Sequence, residues 1–154
     1  MKQQSRRRSI AMTATEIDGF LTEQRTCRVA TVTAAGHPHV SPLWFAWDGA
    51  SLWLYSIVDS QRWVDLTTNG RIAVVVDDGE LYGELRGVEI LGTTAVIGAV
   101  PRSGTPDPAL TEPERLFGEK YFQGQDFVAD GRHAWLQVTP TKMVSWDFRK
   151  IGQR

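Results

Sequence analysis

One cysteine, Cys27, is all that 154 residues provide, which excludes an internal disulfide and fits a reducing cytosol. Cys27 stands in an apolar strand with no activating partner evident, so it reads as buried packing and not as a reactive thiol. Long apolar runs are missing as well. None approaches the ~18–20 residues that span a bilayer, so no membrane partner is expected. Charge of one sign is not in excess. The net charge of −1 gives the molecule no overall field for nucleic acid or an anionic lipid surface. An anion site must therefore be a local grouping of Lys and Arg. Histidine is scarce, and His37 and His39, two apart around Pro38, have no third ligand near them, so no metal centre is expected. A Gly-x-Ser-x-Gly elbow, a phosphate-binding glycine loop and a Ser/His/Asp order are all absent.

Aromatics are plentiful by contrast. Three of the six tryptophans, Trp44, Trp47 and Trp53, fall within ten residues, a pattern read first as core and interface packing. The opening "MKQQSRRRSI" hints at a twin-arginine signal, but Glu16 and Asp18 in the stretch that follows disqualify it as an apolar signal core. Residues 1–12 are taken as a disordered basic arm and 13–152 as a single domain.

Thr13 and Glu16 have the spacing of a capping box, and they open a first helix. Strands follow: "CRVATVT", closed by the turn "AAGHP"; "HVSPLWFAW", closed by Asp48–Gly49; and "SLWLYS". A short helix from about Ser60 to Thr68 stops at Asn69–Gly70. "RIAVVVD" is apolar enough to be buried on both faces. "ELRGVEILGTTAVIGAV" is a long strand with Gly92 as a candidate bulge. Pro101 to Pro113 is a loop, "EPERLFGEKYF" an amphipathic helix, and "HAWLQVT" and "KMVSWDF" two last strands. Short strands at this spacing indicate a mainly β fold, a small closed or nearly closed barrel with a few short helices.

The stretch "SLWLYSIVDSQRWVDLTTNG" carries the functional signal. An aromatic strand ends by delivering Ser60, Gln61 and Arg62 to a helix N-terminus. Such an end leaves backbone N–H groups unpaired and carries the positive pole of the helix dipole. Ser60 is placed to cap the helix or to donate to a phosphate oxygen, and Arg62 brings a rigid fork of donors suited to phosphate.

The order Gly36-His37-Pro38, Tyr55-Ser56, Ser60-Gln61-Arg62, Leu66 and Arg71-Ile72 resembles the pyridoxamine-phosphate-oxidase-like split barrel, a flavin- and deazaflavin-binding fold. The tail "SWDFRKIG" is similar to the actinobacterial branch that uses the deazaflavin coenzyme F-420. The resemblance spans roughly residues 14–152. It implies a cytoplasmic homodimer with each cofactor in the groove between two chains. It places Ser41, Pro42, Leu43 and Trp44 along the tricyclic ring, and Tyr55 and Ser56 beside the ribityl chain and phosphate. Ser60, Gln61 and Arg62 then hold the phosphate, while Trp146 and Arg149 close the pocket from the partner chain. Arg62, Arg86, Arg149 and Lys150 are candidates to line the groove for the anionic tail.

Two departures from the oxidases stand out: Gln61 and Ser41 occupy positions that are basic in those enzymes. The less basic site argues against a phosphorylated vitamin as substrate. The implied activity is reduction of a small organic molecule by hydride from reduced coenzyme F-420. The alternatives are an FMN-dependent oxidoreductase, or a non-enzymatic flavin, deazaflavin or haem binder. No proton donor is identifiable in sequence, and His133 has no assigned role. The segment from about Val100 to Gln125, with Phe117, Tyr121 and Phe122, is expected to shape the substrate side.

Overall fold

The computed structural model describes residues 8–152. Its elements are α1 (Ala14–Glu23), β1 (Cys27–Val32), β2 (Pro38–Leu43), β3 (Phe45–Trp47), β4 (Leu52–Ile57), α2 (Gln61–Asn69), β5 (Arg71–Asp78), β6 (Arg86–Ile97), α3 (Thr111–Tyr121) and β7 (His133–Asp147). All seven strands form one antiparallel sheet in the order β2-β1-β5-β6-β7-β4-β3. The fold is mainly β, as expected. β2 and β3 are separated by one residue, Trp44, yet stand at opposite ends of this order. The sheet must therefore curl until its two edges meet, and Trp44 marks the seam.

Local chemistry explains most boundaries. Thr13 Oγ1 accepts from the Glu16 amide at 3.2 Å and Glu16 returns a carboxylate to the Thr13 amide at 2.6 Å, the reciprocal capping box of α1. Asp48 accepts from the amides of Ala50 and Ser51 to form the β3–β4 turn. α2 ends on Gly70 at φ 69°, a left-handed cap that glycine adopts without strain.

The core lies inside the curl. Val29, Phe45, Leu52, Leu54, Val74, Val76, Val88, Ile90 and Val138 are fully buried there with Cys27. Burial raises the Cys27 thiol to about 12, which agrees with a packing role. A second cluster, Trp53, Leu110, Phe117, Tyr121 and Trp135, sits beneath α3.

Four expectations are corrected. The last two strands are one, since β7 runs unbroken from His133 to Asp147. Its register with β6 steps from Leu91↔Lys142 to Gly92↔Pro140, leaving Thr141 as the extra residue of a bulge that accommodates Pro140. The stretch "HVSPLWFAW" divides at Trp44 into two strands with different partners, β1 and β4. β5 buries only Ile72, Val74 and Val76 fully, while Ala73 and Val75 are half-buried. The inner end of the basic arm is docked: Arg8–Ile10 forms a 3-10 turn, Ile10 and Met12 are buried, and the Met12 amide donates to Ser145 Oγ at 3.0 Å. The rest of that arm, residues 1–7, lies outside the described residues.

Lys120 joins α3 to the barrel. Its ammonium donates to the carbonyls of Leu21 and Gln24, each at 2.9 Å, and lies 3.9 Å from the centre of the Phe45 ring. Burial lowers this amine to about 8. Between that value and the lysine value of ~10.4 the unfolded chain holds a proton that the folded chain has released. Lys120 alone therefore makes stability rise with pH from about 8 to about 10, while Cys27 opposes it from ~8.5 upward, because only the unfolded chain ionises that thiol there. Above that, Tyr121, whose phenol burial pushes upward, reverses the trend, because only the unfolded chain ionises it there. Urea melts across this range are expected to show the wild type gaining stability with pH relative to Lys120→Met, in which the Cys27 contribution is unchanged and the Lys120 contribution is gone.

Candidate functional site

The site begins at the turn into α2. Asp59 takes a left-handed φ of 70°, a conformation aspartate tolerates better than most residues, and sets the angle at which the helix starts. Ser60 is the N-cap, its Oγ accepting from the Trp63 amide at 3.2 Å. The amides of Gln61 and Arg62, in the first turn, have no intrahelical acceptor.

Arg62 turns inward. Only 9 % exposed, it donates from Nε to Ser56 Oγ on β4 at 3.2 Å and from Nη1 to Ser41 Oγ on β2 at 2.5 Å. Both partners are neutral hydroxyls. Among the described residues no carboxylate pairs with this guanidinium, and desolvation lowers its pKa. A buried cation without a counter-charge is costly and is retained where an anion completes it. The donor set fits a phosphate: one planar fork, two serine hydroxyls and the start of a helix.

Beyond Arg62 the seam opens into a cleft of about 440 Å³ lined by Pro42, Leu43, Trp44, Tyr55 and Ile57 on one side. Phe117, Phe122, Phe127, Val128, Asp130 and His133 line the other. Trp44 is 45 % exposed and stacks on Tyr121, with ring centres 4.2 Å apart and planes 5° from parallel. Tyr121 is fixed in turn, its hydroxyl donating to the Arg25 carbonyl at 2.7 Å and accepting from the Phe45 amide at 2.9 Å. The three clustered tryptophans thus divide. Trp47 and Trp53 are buried and donate to Asp18 and Asp48, whereas Trp44 faces the cleft.

Of the thirteen residues singled out in sequence, Ser41, Pro42, Leu43, Trp44, Tyr55, Ser56 and Arg62 come together here. Ser60 is adjacent but occupied as a cap. Gln61 is turned to Asp65, donating at 2.7 Å, and Asp65 also accepts from Thr31 at 2.6 Å. The single chain does not bring Arg86, Trp146 and Arg149 to this cleft. Arg86 pairs with Asp78 at 2.8 Å and Arg149 with Asp147 at 2.6 Å, both beside a second, charged depression with Arg28, Asp77 and Glu84. Trp146 lies flat over Gly87, where an added Cβ would sit 2.3 Å from its ring. Lys150 is bonded to Glu16 and the Ala11 carbonyl.

Sequence reasoning missed Asp130 and His133. Asp130 accepts from the amides of Arg132 and His133 and, at 3.3 Å, from the Tyr55 hydroxyl. His133 Nδ1 lies 2.5 Å from Asp130 Oδ2, and its ring stacks on Tyr55 at 4.7 Å. The Asp-x-x-His spacing was the available signal. His39, by comparison, has a buried Nδ1 with no partner in the structure. Among the described residues no cluster of three His, Cys, Asp or Glu side chains has the placement to hold a metal ion, and no helix is long and apolar enough to cross a membrane.

A curled seven-stranded antiparallel sheet is the frame of the flavin-binding split barrels, an oxidoreductase superfamily. The chain belongs to the pyridoxamine 5'-phosphate oxidase family, which matches it over residues 13–147. Similar solved structures include a conserved hypothetical protein, Rv2991, from Mycobacterium tuberculosis, 27% identical over 97% of this chain and 93% of that one, with a TM-score of 0.81. An F420 reductase is 26% identical over 82% of this chain and 94% of that one, with a TM-score of 0.59. The FAD binding protein from Mycobacterium smegmatis shares the fold at 18% identity, covering 89% and 98% of the two chains, with a TM-score of 0.63. No curated protein matches the chain.

Proposed function

We propose that the protein is a reductase that uses the deazaflavin coenzyme F-420, holding the coenzyme's phosphate on Arg62 and its ring along the seam at Trp44. The observation that carries this reading is the buried Arg62 guanidinium, held by two serine hydroxyls and by no carboxylate, at the end of an aromatic cleft. The similarity to an F420 reductase supports the choice of coenzyme.

When bound, a deazaflavin supplies a hydride and not one-electron or oxygen chemistry. The protein supplies position and electrostatics. Arg62, Ser41 and Ser56 fix the phosphate end, and the α2 dipole adds about 0.3–1 kcal/mol for an anion at its start. Pro42, Leu43 and Trp44 border the ring. Phe117, Phe122 and Phe127, from α3 and the segment after it, exclude water on the far side. Two chains would share the groove, and Arg86, Trp146 and Arg149 would then serve the neighbouring subunit's coenzyme.

FMN is the second reading, favoured by the family itself. Side-by-side titration decides between them, with quenching of deazaflavin fluorescence read against shifts in the flavin absorbance bands. Tighter binding of coenzyme F-420 is expected. Tighter binding of FMN would select the second reading, and binding of neither would overturn both.

A further inference from the structure

The geometry points to His133 as the proton donor of the Arg62 cleft, held by Asp130 and stacked on Tyr55. This rests on the reductase reading above and adds to it the group that completes the reaction. Reducing a polarised alkene takes a hydride and a proton. The hydride, with its electron pair, forms a C–H bond at one carbon and is drawn from the reduced deazaflavin, which is thereby oxidised. The charge left on the substrate, an enolate in the case of an enone, must then be protonated.

Groups able to give that proton are few around the cleft. Tyr55 is raised to about 12, chiefly by burial, which makes it a weak acid, and it is already committed to Asp130. Arg62 does not release its proton in a protein and faces the phosphate end. Asp130 is held below the ordinary carboxylate range: burial opposes this, but the amides of Arg132 and His133 and the imidazole outweigh it. As a carboxylate Asp130 only accepts, so the His133 nitrogen facing it, Nδ1, carries the hydrogen. Nε2 makes no hydrogen bond among the described residues, and its ring is fixed by the 22° stack on Tyr55. When the ring carries both protons, Nδ1–H is held by Asp130 and Nε2–H is the one left to give; transfer leaves the neutral Nδ1–H ring, which takes its next proton from solvent.

The other charges near His133 are accounted for. Arg102 donates its amide to the His133 carbonyl and pairs its side chain with Glu114, which also accepts from Trp135. The walls set the substrate class. Trp44, Phe117, Phe122, Phe127 and Val128 suit a flat apolar molecule, and with Arg62 taken by the coenzyme the lining has no second permanent cation to bind a substrate's phosphate or carboxylate.

Three measurements test this. Nitrogen-15 NMR of the protein without coenzyme is expected to show the neutral ring of His133 as the Nδ1–H tautomer, lost in Asp130→Asn; a neutral ring in the Nε2–H tautomer in the wild type would overturn the proposal. Single-turnover oxidation of bound reduced coenzyme F-420 by 2-cyclohexen-1-one, read at saturating coenzyme, should slow about 10²–10⁴-fold in His133→Gln. His133→Phe keeps a ring stacked on Tyr55 and separates lost chemistry from lost packing. Wild-type rates in either variant, or a wild type that binds the coenzyme but is inert to the enone, would overturn the proposal. A wild type that binds neither coenzyme F-420 nor FMN would fail already at titration, overturning the reductase reading and this step with it.

Discussion

Arg62→Ala is expected to weaken coenzyme binding by roughly 30-fold to several thousand-fold without destabilising the fold. Truncating one partner of a buried, hydrogen-bonded charge pair costs about 2–5 kcal/mol, and each 1.4 kcal/mol is about tenfold in affinity. The coenzyme phosphate would be that partner, because within the chain Arg62 has only Ser41 and Ser56. For the same reason stability should not suffer. In the free protein the guanidinium is desolvated and unpaired, so its removal relieves a cost instead of breaking an ion pair. Lys150→Ala is the control, since that ammonium is engaged with Glu16 and the Ala11 carbonyl. Equal losses of affinity in the two variants would remove Arg62 from the phosphate site. A large drop in the urea midpoint for Arg62→Ala would show that the two serine contacts are structural.

The opposite pattern is expected at Arg102. Arg102→Ala should destabilise the protein by about 3–5 kcal/mol, the usual cost of leaving one member of a buried ion pair alone. Arg102 is 6% exposed and Glu114 16%, and their fork-to-fork contact measures 2.6 and 3.2 Å. Arg102 also donates to the carbonyls of Ser103 and Thr105, so one side chain ties the loop before α3 to the helix. Glu114→Gln on the Arg102→Ala background should recover much of the loss, because the amide still accepts from Trp135 Nε1 without an unpaired charge. Denaturant melts of the single and double variants measure this directly. A loss below about 1 kcal/mol, typical of a surface pair, would show that water reaches Glu114.

These two arginines also show how far the sequence could be read. Arg62 was legible because its signal is local: a cap residue, a helix start and a donor fork within three positions. The same locality made the α1 capping box, the Asp48–Gly49 turn and the Asn69–Gly70 stop readable. Arg102 was not legible, since its partner is twelve residues on and its burial depends on how α3 folds back. β7 was divided in two because Thr139-Pro140-Thr141 resembles a strand end; only the pairing with β6 shows that Pro140 sits at a bulge opposite Gly92. Arg86 and Arg149 were legible as charges but not as members of ion pairs, because a charge in sequence does not reveal which carboxylate the fold sets beside it. For Arg149 the answer, Asp147, was two residues away. His133 gained meaning only from the fold, which lays it beside Ile57 in the β4–β7 ladder and so next to Tyr55.

The single-residue link at Trp44 constrains how this architecture can diversify. Two strands at opposite edges of the sheet are joined with no slack, so the chain can neither widen that junction nor insert into it without pulling a strand off its partner. New ligand preferences must therefore arise on the other bank, in the 98–132 segment, where length and side chains can change while the ladder stays intact. The barrel behaves as a fixed jaw, and evolution is free to recut only the one that faces it.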